Sequence, residues 1–129
     1  MTTARDHIES LFAMADGVAL LDMLLAFAEC IALHPSGFVR PTIVEDGKTL
    51  SLVNSRHPVV AESQIFAAHG GSFVSNGITL DQEHNFAMIT GPNGSGKTVF
   101  IKQVALCVIM AQIGMFVPAE YAEIPLFDR

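Results

Sequence analysis

"NFAMITGPNGSGKTVFIKQ", Asn85 to Gln103, decides how this chain is read. An apolar run, Asn85–Thr90, leads into Gly91-Pro92-Asn93-Gly94-Ser95-Gly96-Lys97-Thr98, and an apolar helical pattern follows. The eight residues fit G-x-x-x-x-G-K-[ST] throughout. Glycines let backbone N–H groups wrap phosphate oxygens at distances where a side chain would collide. The helix that follows points its first N–H groups and the positive end of its dipole at the same anion. Lys97 is placed to reach the β- and γ-phosphates, and the Thr98 hydroxyl to ligate Mg²⁺. A chance match arises in on the order of one chain in several hundred of this size. The strand-loop-helix context lowers that further. The expected ligand is ATP or ADP with Mg²⁺.

Outward from the loop, Lys97–Ile113 is expected as a helix apolar nearly all round, the kind buried inside a larger fold. "GMFVPAEYAEIPLFDR" leaves that helix at Gly114, turns at Pro118, and shows no third clear element. Upstream, "TLSLVNS" alternates as a strand after an "EDGK" turn, and "SRHPVVA" reads as extended because Pro58 restricts His57. "GGSFVSNGITL" reads as a loop ending in a short strand, and "NFAMIT" as the buried strand that holds the phosphate loop. "HPSGFVRP" breaks a first long helix, roughly Thr3 to Leu33. Leu11, Met14, Val18, Leu21, Leu25, Ala28 and Ala32 give that helix a heptad seam, with Asp16, Asp22 and Glu29 off it as a solvated face. Thr3 with Asp6 resembles a capping pair. The fold class is therefore α/β, a partial P-loop NTPase domain of the ABC-like kind preceded by a long α-helix.

The chain has 129 residues, half of them hydrophobic and 16% charged, with a formal charge of −6. Seven Lys and Arg spread along it form no basic patch, so any hold on DNA falls to other segments or subunits. The longest apolar stretches, Val18–Ala28 and Val104–Ala119, are interrupted and fall short of the roughly 20 residues that span a bilayer. The amino terminus lacks the apolar core of a signal peptide, so a soluble, intracellular chain with no membrane role is expected. Cys30 and Cys107 lie in apolar helical patterns and read as buried free thiols. After Thr98 the acids are Glu120, Glu123 and Asp128, none at the end of an apolar strand-like run. Hydrolysis needs such an acid to hold Mg²⁺. Nucleotide binding is thus encoded, a complete hydrolytic site is not, and no steady turnover is expected.

The residues around the loop resemble the ATPase region of the MutS family. "ITGPNGSGKTVFIKQVALCVIMAQIGMFVPAEYAEIPLFDR" is similar to that family's ITGPN-x-x-GK-[ST], its K/R-Q-x-A/G-L helix and its MAQIG-x-[FY]-VPA run. Upstream, "LLDMLLAFAECI", "FVRP", "NSRHPVV" and "SFVSNGITL" resemble successive family segments in the same order. The resemblance implies a DNA-binding ATPase of mismatch repair or meiotic recombination, a clamp on mismatched or branched double-stranded DNA. It also implies a MutS paralogue as dimer partner. Residues 1–34 would end the core and lever helix, and 35–129 would begin the ATPase domain. Phe73 would stack on the adenine, with Val74 and Asn76 beside the base; a core-plug role is the alternative reading of Phe73. His57 is expected to make structural hydrogen bonds, and Arg56 to pair with an acid.

Asn93-Gly94-Ser95-Gly96 departs from the N-M-G-G usual in mismatch-repair members, and Thr98 replaces the usual serine. That variation, together with "VFIKQ", leans towards the eukaryotic meiotic branch, with a nuclear location if eukaryotic and a cytoplasmic one otherwise. Two alternatives stand beside this reading. One is an ABC or SMC-like ATPase fragment, which the MAQIGMFVPAE run does not match. The other is a truncated, non-catalytic protein that binds nucleotide or a partner. A chain so apolar is expected to associate or fold only partly when alone.

Overall fold

The computed structural model describes residues 8–34, 37–45, 47–61 and 73–128. The chain forms two compact units, Met1–Pro35 and Ser36–Arg129. The Thr3–Asp6 pair, Asp46 of the "EDGK" turn and Gly70–Ser72 lie outside the described residues.

The first unit is one helix, α1 (Ile8–Leu33), and it buries none of its residues. The expected heptad seam stays exposed. Leu20, Leu21, Met23, Leu24 and Leu25 are successive or nearly so, which puts exposed apolar side chains all round the helix rather than along one seam. Taken whole, with its isolated acids included, α1 is long and apolar enough by length and composition to cross a bilayer, a property that counting uninterrupted runs missed. At its end His34 N–H donates to Ile31 O (3.1 Å), and His34 Nδ1 lies 2.9 Å from Cys30 O.

Among the described residues, the second unit is a four-stranded sheet with one helix packed on it. The strands are β1 (Thr42–Val44), β2 (Leu50–Ser55), β3 (Asn76–Leu80) and β4 (Tyr121–Pro125), and the helix is α2 (Lys97–Gln112). Their order in the sheet is β1-β4-β2-β3. β4 runs parallel to β1 and antiparallel to β2, and β2 is antiparallel to β3. The "YAEIP" tail, expected to form no element, is therefore an inner strand. Its alternation is real, with Ala122 and Ile124 buried and Tyr121 exposed; the flanking Pro118 and Pro125 disguise it.

The buried face of α2 is Gln103, Cys107 and Ala111, at spacings of four. Small side chains there let the helix lie close over Leu50, Leu52, Ala122 and Ile124, with Val117 and Ala119 closing the core. Only that face is covered: Ile101 and Ile109 on the outer face are each 55% exposed. α2 ends in a Schellman turn, with Gly114 at φ 86° donating to Ala111 O (3.0 Å) and Met115 N–H to Met110 O (2.9 Å). The chain then bridges Val117 to Val39 in both directions (2.9 and 3.0 Å) and returns as β4. The MAQIGMFVPAE run is thus a stop, a bridge and a re-entry into the sheet.

Three further expectations change. Asn85–Thr90 is neither a strand nor buried: Phe86 and Met88 are 76% and 78% exposed. Its apolar character favours burial, but strands need a ladder, and none of the described residues pairs with it. "HPVVA" is a turn rather than extended, since Ala61 N–H donates to His57 O (3.0 Å). Among the described residues Arg56 meets no acid; its Nη2 donates to the carbonyl of Gly37 (2.7 Å).

β2 carries a bulge between Leu52 and Ser55, where Asn54 takes a left-handed φ of 48° and donates from Nδ2 to Glu120 Oε2 (2.9 Å). The bulge inverts the alternation, so Ser55 turns inward and is fully buried. Gly77 stands close by, where a Cβ would come within 3.0 Å of Leu52 O. After β3, Asp81 Oδ1 accepts from the backbone of His84 (2.6 Å) and Glu83 (2.8 Å), and these bonds hold its carboxyl below the usual range.

Candidate functional site

α2 begins at Gly96, a left-handed N-cap (φ 91°, ψ 4°) with no side-chain acceptor to offer the first-turn N–H groups. Gly91 and Gly94 also have positive φ, 151° and 81°. At Gly91 a Cβ would stand 2.9 Å from Ser95 Oγ, a side-chain end that would have to turn aside, and the positive φ strains any side chain there. Ser95 N–H donates to Pro92 O (3.3 Å), and Phe100 N–H to Gly96 O (2.9 Å). Lys97 folds back on the loop, its Nζ donating to Gly91 O and Pro92 O, both at 2.7 Å.

One cleft of about 770 Å³ draws its walls from Phe73, Val74 and Asn76 and from the loop residues Gly91, Pro92 and Gly94–Lys97. Fifteen or more positions of sequence separate the two sets, and the fold brings them together. Asn93 and Thr98 do not line it; Thr98 is exposed on the first turn of α2. Asn76 Nδ2 donates to Val74 O (2.9 Å), which stiffens the segment entering β3. Val60 and Gln103 line the cleft as well, and sequence reasoning singled out neither.

Among the described residues no acid lines this cleft. Glu120 is held by Asn54, and Glu123 Oε2 accepts from Tyr121 Oη (2.7 Å), which pushes the Tyr121 phenol up. Asp128 lies at a second, apolar cleft of about 720 Å³ lined by Leu80, Ile89, Val104, Val108 and Phe127. Among the described residues no group of three or more His, Cys, Asp or Glu could hold a metal. His57 is nearly buried, and its Nδ1 accepts from Val59 N–H (3.3 Å) and Val60 N–H (3.2 Å). That fixes the ring proton on Nε2 and makes His57 the staple of the turn that presents Val60. Burial, and then the Lys102 ammonium, hold its pKa below the ordinary value. Cys107 is buried, which pushes its thiol up to about 11, whereas Cys30 is only partly covered.

Residues 87–129 match the family described as MutS domain V. Over 125 residues, 97% of the chain, it is 43% identical to the DNA mismatch repair protein MutS of Lactobacillus johnsonii. The same protein of Listeria innocua is 44% identical over the same span, and that of Petrotoga mobilis 38% over 128 residues. Along nearly its whole length the chain is similar to MutS proteins. It spans 14% to 15% of the length of these relatives. They are bacterial MutS proteins, so the lean towards the eukaryotic meiotic branch, drawn from Gly94, Ser95 and Thr98, is withdrawn, and the nuclear location with it. A few loop substitutions weigh less than identity spread along nearly the whole chain.

Proposed function

We propose that this MutS-like chain supplies the nucleotide-binding part of a mismatch-repair ATPase, and that the cleft between Phe73–Asn76 and the Gly91–Thr98 loop takes ATP or ADP. The observation that carries this reading is the meeting of those two segments in one cleft. The residues fit the ligand: uncapped N–H groups at the start of α2, three positive-φ glycines and one ammonium for phosphates, and a phenylalanine for a base. Lys97 exchanges the Gly91 and Pro92 carbonyls for phosphate oxygens when nucleotide enters. Phe73 stacks on the adenine beside Val74 and Asn76, and Asn93 shapes the loop turn. Mg²⁺ would be held by Thr98 Oγ1 and the phosphate oxygens, and would supply neutralisation of phosphate charge.

Among the described residues no carboxylate lines the cleft, so the acid that hydrolysis needs comes from elsewhere in this reading, and the chain is expected to bind nucleotide without steady hydrolysis. In the whole protein the bound nucleotide controls a clamp on mismatched double-stranded DNA, formed with a second MutS-type chain, a paralogue or a copy, in the cytoplasm. Residues 1–34 serve as the end of the lever and 35–129 as the start of a P-loop ATPase domain. As lever rather than bilayer span, α1 keeps Glu9, Asp16, Asp22 and Glu29 along its length; an acid at the centre of a bilayer costs roughly 2.5–3.5 kcal/mol.

A fluorescent adenine nucleotide tests the reading. The chain is expected to bind it, ATP to displace it, and Phe73→Ala to weaken it about tenfold, in keeping with roughly 1–3 kcal/mol per stacked base. Binding that is indifferent to Phe73 removes the base from this cleft.

A further inference from the structure

Gln103 is fully buried in the middle of α2, an expensive place for an amide. Its Nε2 donates to Ser55 O (3.0 Å) and to Ser55 Oγ (2.7 Å). Ser55 Oγ in turn donates to Asn76 O (2.9 Å), and Asn76 Nδ2 donates to Val74 O (2.9 Å). The polarity of this chain of bonds is fixed. Both backbone oxygens only accept, so Gln103 must present its amide nitrogen to Ser55, and the serine proton must point to Asn76. The other amide atom, Gln103 Oε1, is buried with no hydrogen-bond partner among the described residues. A leucine or methionine would carry no such orphan oxygen, so the amide at this position is not explained by packing.

The bulge at Asn54 makes the relay geometrically available. Regular alternation from Leu50 and Leu52 would bury residue 54 and turn Ser55 outward; the extra residue brings Ser55 in instead. The relay crosses three elements, from α2 through β2 to β3. At one end is the helix whose first residue is Lys97, six positions before Gln103. At the other is the segment that carries Phe73, Val74 and Asn76 into the cleft, and Gln103 itself lines that cleft.

We infer that Gln103 and Ser55 are positioning residues that lock the base-side wall of the cleft to the phosphate-side helix, so that base and triphosphate are gripped as one unit. The inference rests on the nucleotide reading above. Chains of hydrogen bonds polarise one another in a low dielectric, which stiffens such a connection beyond its single links. Without it, the loop still holds phosphates, while Phe73–Asn76 is no longer held in register with them.

The test compares ATP with inorganic tripolyphosphate on the full chain by titration calorimetry, with thermal unfolding of every variant alongside. In the unaltered chain ATP binds more tightly than tripolyphosphate, and the ratio measures the base's contribution. Ser55→Ala, at a residue outside the cleft lining, is expected to cut that ratio about fivefold to tenfold with tripolyphosphate affinity unchanged, and Gln103→Leu to cut the ratio by a similar factor. Ser55→Thr keeps the hydroxyl and is expected to restore the ratio. Should Gln103→Leu fail to fold, Ser55→Ala, which deletes one oxygen, carries the same comparison. A ratio that stays constant in folded variants overturns the inference, as does a parallel loss for both ligands, the mark of general loosening. If the unaltered chain binds both ligands equally through Lys97, the relay has no base to position and the inference falls while the phosphate site stands. If it binds neither, the nucleotide reading falls too.

Discussion

Lys97 Nζ sits 2.7 Å from the carbonyl oxygen of Gly91, the first glycine of its own loop, and makes an equal bond to Pro92. The ammonium thereby closes the loop that it is proposed to serve. Both bonds are charge-assisted, so an incoming phosphate must better them before it gains the lysine. Phosphate oxygens carry full charge where the carbonyls carry dipoles, which gives that exchange its direction.

Two glycines with positive φ should answer differently to alanine. At Gly91 (φ 151°) a Cβ meets Ser95 Oγ at 2.9 Å, inside the exposed loop. Gly91→Ala is expected to abolish nucleotide binding with little change in melting temperature. At Gly114 (φ 86°) nothing lies within 4 Å of a Cβ, and the cost is the left-handed backbone alone, about 1–2 kcal/mol. Gly114→Ala should lower the melting temperature and leave nucleotide affinity alone. Equal effects of the two on binding would contradict the separation of loop and helix stop.

His57 should make stability depend on pH. Burial and Lys102 hold its folded pKa below the ordinary value near 6.5, so the unfolded chain takes up the proton first. The stability is whole above about pH 6.5 and is lost as pH falls through that value towards the folded pKa. His57→Asn keeps a short acceptor for the Val59 and Val60 N–H groups but does not titrate. Denaturant unfolding at pH 7 and pH 5 should show the loss in the unaltered chain and less of it in the variant. An identical pH dependence in both would assign it elsewhere.

The two cysteines should be told apart by a thiol reagent at pH 8. Cys107, buried and with a pKa pushed to about 11, forms almost no thiolate there, while Cys30 is partly covered only. Native chain should take one label quickly and a second only in denaturant, as read by intact mass. Rapid double labelling would mean that the α2 face opens.

Exposed apolar surface should drive self-association. The outer face of α2 shows Ile101 and Ile109, and Phe86 and Met88 stand on backbone that has no ladder. Light scattering should give a mean mass that rises with concentration, reduced by Ile101→Lys with Ile109→Lys. A constant monomer mass over a hundredfold range of concentration contradicts this.

What the sequence made legible was what local chemistry decides. The Gly91–Thr98 loop, the helix after it, the stop at Gly114 and the alternating strands β2 and β3 follow from glycines, periodicity and turn residues. β4 was hidden because Pro118 and Pro125 bracket an alternation only five residues long. Asn85–Thr90 misled in the other direction, since an apolar run signals a wish for burial but says nothing about which strand will pair with it. The α1 stripe failed for the same reason: a heptad seam names a face without naming a partner. Least legible was the Gln103–Ser55 bond, which joins positions 48 apart and exists only because Asn54 bulges β2. No periodic pattern reports a bulge of that kind. The meeting of Phe73 with the loop was expected from family resemblance, not from any spacing between them.

The most direct measurement is titration calorimetry of ATP into the chain and into its Lys97→Ala variant, with thermal unfolding to show that both are folded. Saturable binding that weakens at least a hundredfold in the variant, about 2.7 kcal/mol, is the predicted result. Equal affinity in two folded proteins, or no binding by the unaltered chain, would contradict the account.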